Sequence, residues 1–192
     1  MEELTELLSQ LSCGDDEQAE GALSHLATWG RDAVGALEGR LSHPEADVRW
    51  WAVRALAEVQ DERVPGLLVQ ALSDPDKGVR WCAGLALRTR PSPQASPVLV
   101  EMLADKDALT RRLAGDALVA IGSQVVPELM NLMQQEDQRV CLEAVRALAK
   151  IGDQRAISVL FEALDDGSAL VEYWANEGLD KMGVGMVFFK PE

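Results

Sequence analysis

Asp47-Val48-Arg49-Trp50-Trp51-Ala52-Val53-Arg54-Ala55-Leu56 is answered 31 residues later by Gly78-Val79-Arg80-Trp81-Cys82-Ala83-Gly84-Leu85-Ala86-Leu87. Working outward, the central alanine recurs at Ala22, Ala52, Ala83, Ala114, Ala144 and Ala175, always 30 or 31 residues apart. A leucine follows four places on in every copy: Leu26, Leu56, Leu87, Leu118, Leu148 and Leu179. Four places before the alanines stand Gln18, Val48, Val79, Thr110, Val140 and Val171. An i, i+4, i+8 spacing marks one face of an α-helix, and a fixed period of this length marks a repeat architecture. The chain therefore reads as six copies of one unit, with this helix second in each.

Upstream of each second helix lies a shorter apolar-periodic run: Leu4 to Leu11, Ala33 to Leu41, Val64 to Leu72, Pro97 to Leu103, Val126 to Met133 and Ile157 to Leu164. These are the expected first helices. Pro65, Pro97 and Pro127 fall near three of their starts, where the missing N–H is harmless. Ser42-His43-Pro44-Glu45 and Ser73-Asp74-Pro75-Asp76 supply the turns, and Gly30, Gly122, Gly152 and Gly183 close second helices.

Composition narrows the function. With 18 Lys+Arg against 32 Asp+Glu, the formal charge of the 192 residues is −14, which argues against a basic nucleic-acid groove. No uninterrupted apolar run reaches the roughly 20 residues of a membrane span, and Met1-Glu2-Glu3-Leu4 is acidic where a signal peptide is basic. Cys13, Cys82 and Cys141 are odd in number and widely spaced, unlike a disulfide framework or a metal knuckle. A cytoplasmic location, without nucleic-acid or membrane partners, is the expectation.

Asp47-Val48-Arg49 with Ala52 and Ala55-Leu56, and Gly78-Val79-Arg80 with Ala83 and Leu87, resemble HEAT-like repeats of the short, phycobilisome-lyase type. The resemblance covers roughly residues 2–182 and implies an all-α superhelix, a solenoid of about six helical hairpins. Ala19, Cys141 and Glu172 stand at the arginine position of repeats one, five and six, so the arginine ladder is broken. A hairpin cannot bury its own apolar face, so stacked units share one core, expected here as a single solenoid over 1–183. At helix spacings of about 8 to 10 Å, six units make a curved rod roughly 50 to 60 Å long. The apolar tail over 184–192, with Phe188 and Phe189, is expected to cap the last repeat; a docking peptide is the alternative.

The resemblance implies that second helices line a concave face. With the Val48-type position set at 0°, the residue two places on lies near 200°, pointing outward. That column reads Glu20, Trp50, Trp81, Arg112, Leu142 and Tyr173. Large aromatic side chains beside arginine dominate binding hot spots. The expected partner-binding set is Trp50, Val53, Arg54, Trp81, Leu85, Arg88, Arg112, Leu142, Arg146 and Tyr173. Arg54, Arg112 and Arg146 are expected to meet acidic groups on the partner. Trp51 and Trp174 fall near 300° and read as core-flanking, while Arg49, Arg80 and Arg111 read as an inter-repeat ladder toward groups such as Asp47, Asp76 or Asp107.

Catalytic chemistry is not indicated. Only His25 and His43 occur, in different repeats and without cysteine at ligand spacing, so neither a metal site nor a nucleophile–base pair is expected. The His-Glu pairs of deoxyhypusine hydroxylase, an enzyme of similar repeats, do not occur. Asp74-Pro75-Asp76-Lys77-Gly78 lacks the remaining ligands of a calcium loop and reads as a turn with a helix cap. The function expected is a non-catalytic protein-binding scaffold or adaptor without a cofactor. The alternatives are a phycobilin-lyase-like, tetrapyrrole-handling subunit and an assembly chaperone.

Overall fold

The computed structural model describes residues 2–135 and 137–184, and all regular structure among them is helical. They fall into two compact units, Met1–Val98 and Leu99–Glu192. The first unit holds α1 (Glu2–Gln10), α2 (Asp16–Thr28), α3 (Arg31–Arg40), α4 (Ala46–Leu56), α5 (Val64–Ala71) and α6 (Lys77–Thr89). The boundary lies within α7 (Ser96–Met102). The second unit continues with α8 (Ala108–Ile121), α9 (Val126–Leu132), α10 (Gln138–Ile151), α11 (Ile157–Glu162) and α12 (Ala169–Lys181). Six helix pairs result, with the second helices where the alanine period predicts them.

The period is a packing rule. All six alanines and all six leucines of the pattern are buried, none more than 1% exposed. An alanine leaves room for a neighbouring helix to approach closely, and the leucine fills the space one turn on. In the first unit α4 packs against both α2 and α6; in the second, α10 packs against both α8 and α12. Within each unit a second helix thus covers the apolar face of the next, as the core of a repeat protein requires.

Local chemistry sets the boundaries. Asp15, Asp76, Asp107 and Asp137 cap α2, α6, α8 and α10 by accepting hydrogen bonds from first-turn N–H groups. Asp76, from the run that resembles a calcium loop, accepts from Gly78 N and Val79 N at 2.7 and 3.2 Å. Gly152 closes α10 in the left-handed conformation, φ +71°, donating its N–H to the Leu148 carbonyl. Pro65 and Pro127 occupy first-turn positions of α5 and α9.

One run among the described residues, Ala108–Leu132, matches a membrane span in length and hydropathy. It is two helices and a 3-10 turn, broken at Gly122 with φ +82°, and it carries the ion-paired Arg112 and Asp116. A continuous spanning helix would admit neither feature without cost. The tail expected to cap the last repeat lies, from residue 185 on, outside the described residues.

Candidate functional site

The first unit carries a groove of about 750 Å³ on the outer sides of α4 and α6. Trp50, Arg54, Trp81, Leu85 and Arg88, five of the predicted residues, line it. The two helices present these side chains together because α4 and α6 lie side by side one repeat apart, with Ala52 and Ala83 turned into the core. Trp50 and Trp81 are partly exposed, and Leu85 is 44% exposed. Lys77 Nζ stands 5.2 Å from the centroid of the Trp81 ring, a cation–π contact. Cys82 forms part of the groove wall and its Sγ lies 3.9 Å from the Trp50 carbonyl; burial pushes this thiol up to about 12, so it is neutral and unreactive.

Two members of the predicted set are corrected by their burial. Val53 is 0% exposed and belongs to the core. The 0° reference treated α4 as covered on one side only, whereas it packs against α2, α3, α5 and α6, so the buried arc reaches Val53. Arg146 is 1% exposed. Its Nε donates to Glu143 at 2.7 Å, its Nη1 to Asp116 at 2.8 Å and its Nη2 to the Arg112 carbonyl at 3.3 Å. This guanidinium is consumed inside the second unit and cannot meet a partner's carboxylate.

Arg54 is likewise engaged, to Glu58 at 2.5 Å and Glu20 at 3.1 Å, and the Glu58 hydrogen bond leads in raising its already high pKa. Arg112 pairs with Asp116 at 3.7 Å. Leu142 on α10 is partly buried, and Tyr173 on α12 is 52% exposed, its ring 5.3 Å from that of Trp174. Arg112, Leu142 and Tyr173 therefore lie at least partly at the surface, all on the second unit.

The expected arginine ladder is mostly a set of turn clamps. Arg49 Nη1 donates to the His43 and Pro44 carbonyls, Arg80 Nη1 to those of Asp74 and Pro75, and Arg111 Nη1 to those of Asp105 and Lys106. Each arginine ties the turn entering its own helix. Arg49 also forks onto Asp74 of the following repeat at 2.7 and 2.8 Å. Burial works to raise the Asp74 carboxyl, but the bonds from Arg49 and from Asp76 N hold it below the ordinary range.

A second hollow of about 820 Å³ adjoins the groove, and it was not singled out from the sequence. Asp16, Glu17, Glu45 and Asp47 line it together with Trp50 and Trp51. Trp51, read as core-flanking, is partly exposed here, its ring perpendicular to that of Trp50 at 4.8 Å. The carboxylates come from the starts of α2 and α4, where acidic residues complement the helix dipole. That role accounts for them singly; their convergence on one hollow depends on how α2 and α4 pack. The described residues hold no group of three or more His, Cys, Asp or Glu arranged for a metal ion.

A family model described as HEAT repeats matches residues 4–67, 40–119 and 103–180, and the chain belongs to this family. No curated protein matches it. Among solved structures, an archaeal HEAT-like repeats protein from Thermococcus onnurineus is similar over 96% of this chain and 82% of its own, with a TM-score of 0.68 at 18% identity. A designed armadillo repeat protein in complex with the peptide (KR)4 aligns over 94% of this chain and 99% of its own, with a TM-score of 0.54 at 19% identity. The CpcE–CpcF complex of phycocyanin lyase from Nostoc sp. PCC7120 aligns over 92% of this chain and 76% of the matched chain, with a TM-score of 0.55 at 21% identity. At these identities the likeness is one of fold.

Proposed function

We propose that this HEAT-repeat chain is a non-catalytic protein-binding scaffold that uses the α4–α6 groove to hold an apolar anchor of a protein partner. The observation that carries this reading is the meeting of Trp50, Trp81 and the exposed Leu85 in one groove of about 750 Å³. Rigid aromatic side chains lose little conformational entropy on burial, and a central apolar pocket with a polar rim is the usual form of a hot spot. Arg88 and Glu58 furnish such a rim. Two of the structural neighbours were solved bound to a peptide or to a partner subunit, occupants of the class proposed here. We place the protein in the cytoplasm, consistent with three free cysteines, two of them buried.

The test is affinity purification from the source cell with mass spectrometry, comparing the native chain with a Trp50→Ala, Trp81→Ala double variant. The native chain retains a reproducible partner that the variant loses while keeping a cooperative melting transition. An unchanged partner set in the variant would sink the reading.

The tetrapyrrole-handling reading uses the same groove, whose volume suits a ligand of that class. Trp50 and Trp81 would stack on the pigment, but Arg54 is paired with carboxylates and Arg90 donates to the Val59 carbonyl. Arg88 is left as the candidate for a propionate. Titration with bilin or haem tests it, and an absorbance shift that disappears in the Trp50 and Trp81 variant would favour this alternative.

A further inference from the structure

The acidic hollow names the chemistry of the partner. We infer that it receives the cationic side chain, lysine or arginine, of a basic segment in the protein partner, while a neighbouring apolar residue of that segment enters the α4–α6 groove. This inference rests on the protein-binding reading above and specifies the partner's charge.

Asp16, Glu17, Glu45 and Asp47 are all exposed around the hollow, and no lysine or arginine lines it. Glu20 and Asp76 also reach it, but they already have work: Glu20 pairs with Arg54, and Asp76 caps α6. Among the described residues, the other four carboxylates take part in no ion pair. Four like charges around one opening raise the local concentration of a cation and repel an anionic partner. Nucleic acid is disfavoured on the same ground.

The wall of the hollow is suited to a cation as well. Trp50 and Trp51 stand edge to face at 4.8 Å, so the hollow presents indole surface together with carboxylates. An indole face attracts a cation, and carboxylates pair with it; a guanidinium can also stack on the ring. The neighbouring indole already behaves in this way, since Lys77 lies over Trp81.

The hollow and the groove are continuous. Trp50 and Gly78 line both the acidic hollow and the apolar groove. At this junction a β-carbon on Gly78 would meet Asp76 Oδ1 at 3.0 Å and the Trp50 ring at 3.8 Å, so the shared wall between the two compartments is the Trp50 indole and the Gly78 backbone. A free amine or a simple metal cation would use only the acidic side; a basic segment with an adjacent apolar residue uses both.

The experiment measures binding of a labelled short peptide with two Lys-Arg pairs flanking a Leu-Leu core, by fluorescence anisotropy. The control peptide carries glutamate in place of every base. The basic peptide binds and the acidic one does not, and Kd rises about tenfold as salt goes from about 50 to about 300 mM. Neutralising the hollow by Glu17→Gln, Glu45→Gln and Asp47→Asn together weakens binding about tenfold or more and flattens the salt dependence. Glu45→Gln alone, at an exposed residue, is the second variant should the triple one melt early; it weakens binding about threefold. Unchanged affinity in these variants, or no preference for the basic peptide, overturns the inference. Leu85→Asp separates the two readings. Loss of binding in Leu85→Asp with none in the neutralised variants leaves the groove standing and removes the cation hollow, and the opposite pattern retains the hollow and removes the apolar anchor.

Discussion

Arg54 and Arg146 occupy the same place in their repeats, two residues after the core alanine, yet they lead different lives. Arg54 has a side chain 31% exposed and reaches out to Glu20 and Glu58. Arg146 is sealed between Asp116 and Glu143. The difference originates one repeat earlier. Behind Arg54 the preceding helix carries Leu23, a buried side chain, and Ser24; behind Arg146 it carries Gly115 and Asp116. A β-carbon on Gly115 would lie 2.6 Å from Arg146 Nη2, so the guanidinium fills the volume that a side chain would take. A repeat position acquires its role from its neighbour as much as from its own residue.

The largest effect that can break this comparison is loss of each arginine. Arg146→Ala strands Glu143 and Asp116 and is expected to cost about 3–5 kcal/mol, whereas Arg54→Ala is expected to cost less than about 1 kcal/mol. Urea denaturation of the two variants checks this, and similar losses would show that burial does not separate them. Next in size, Gly115→Leu copies the first unit's Leu23 into the second. It should displace Arg146 from its bonds and destabilise by about 1–3 kcal/mol, read by the same measurement.

Acid sharpens the contrast further. Burial works to raise the Asp116 carboxyl, but bonds from Lys150 and Arg146 hold it below the ordinary range. A carboxyl depressed in the folded state adds stability that is complete above its unfolded pKa of about 4 and is lost as pH falls through the folded value. Urea midpoints measured from about pH 6 down to about pH 2 should therefore fall, and Asp116→Asn should make that decline shallower.

Smaller effects distinguish the helix starts that shape the candidate site. Asp76 caps α6 through its side chain, while Glu45 makes no such bond at α4. Asp76→Ala is expected to cost about 1 kcal/mol and Glu45→Ala a few tenths, by thermal denaturation. Of similar small size in stability is Leu85→Asp, expected within about 0.5 kcal/mol at a side chain 44% exposed. The same substitution should abolish partner capture in pull-down, so a stable variant that still captures the partner would remove the groove from the function.

Helices, repeat number, caps and core could be read from the chain because they obey local rules. An alanine and a leucine four residues apart mark one helix face, an aspartate before a helix marks its cap, and a period of 30 or 31 residues aligns six copies. The outward direction of Trp50, Trp81 and Leu85 was also legible, since two residues past a core position lies across the helix from it. Val53 and Arg146 were misjudged because a helix wheel assumes one buried side, and α4 and α10 are covered from several.

The amino-acid sequence by itself determined that this protein is a stack of six helix pairs with indoles turned away from the core, since both features follow from spacing along one helix. Only the tertiary structure decided which arginines remain at the surface and that carboxylates from the starts of α2 and α4 surround Trp50 and Trp51. The physical reason is range: helix periodicity acts over three or four residues, whereas burial and electrostatic surroundings depend on side chains brought together from about one repeat away.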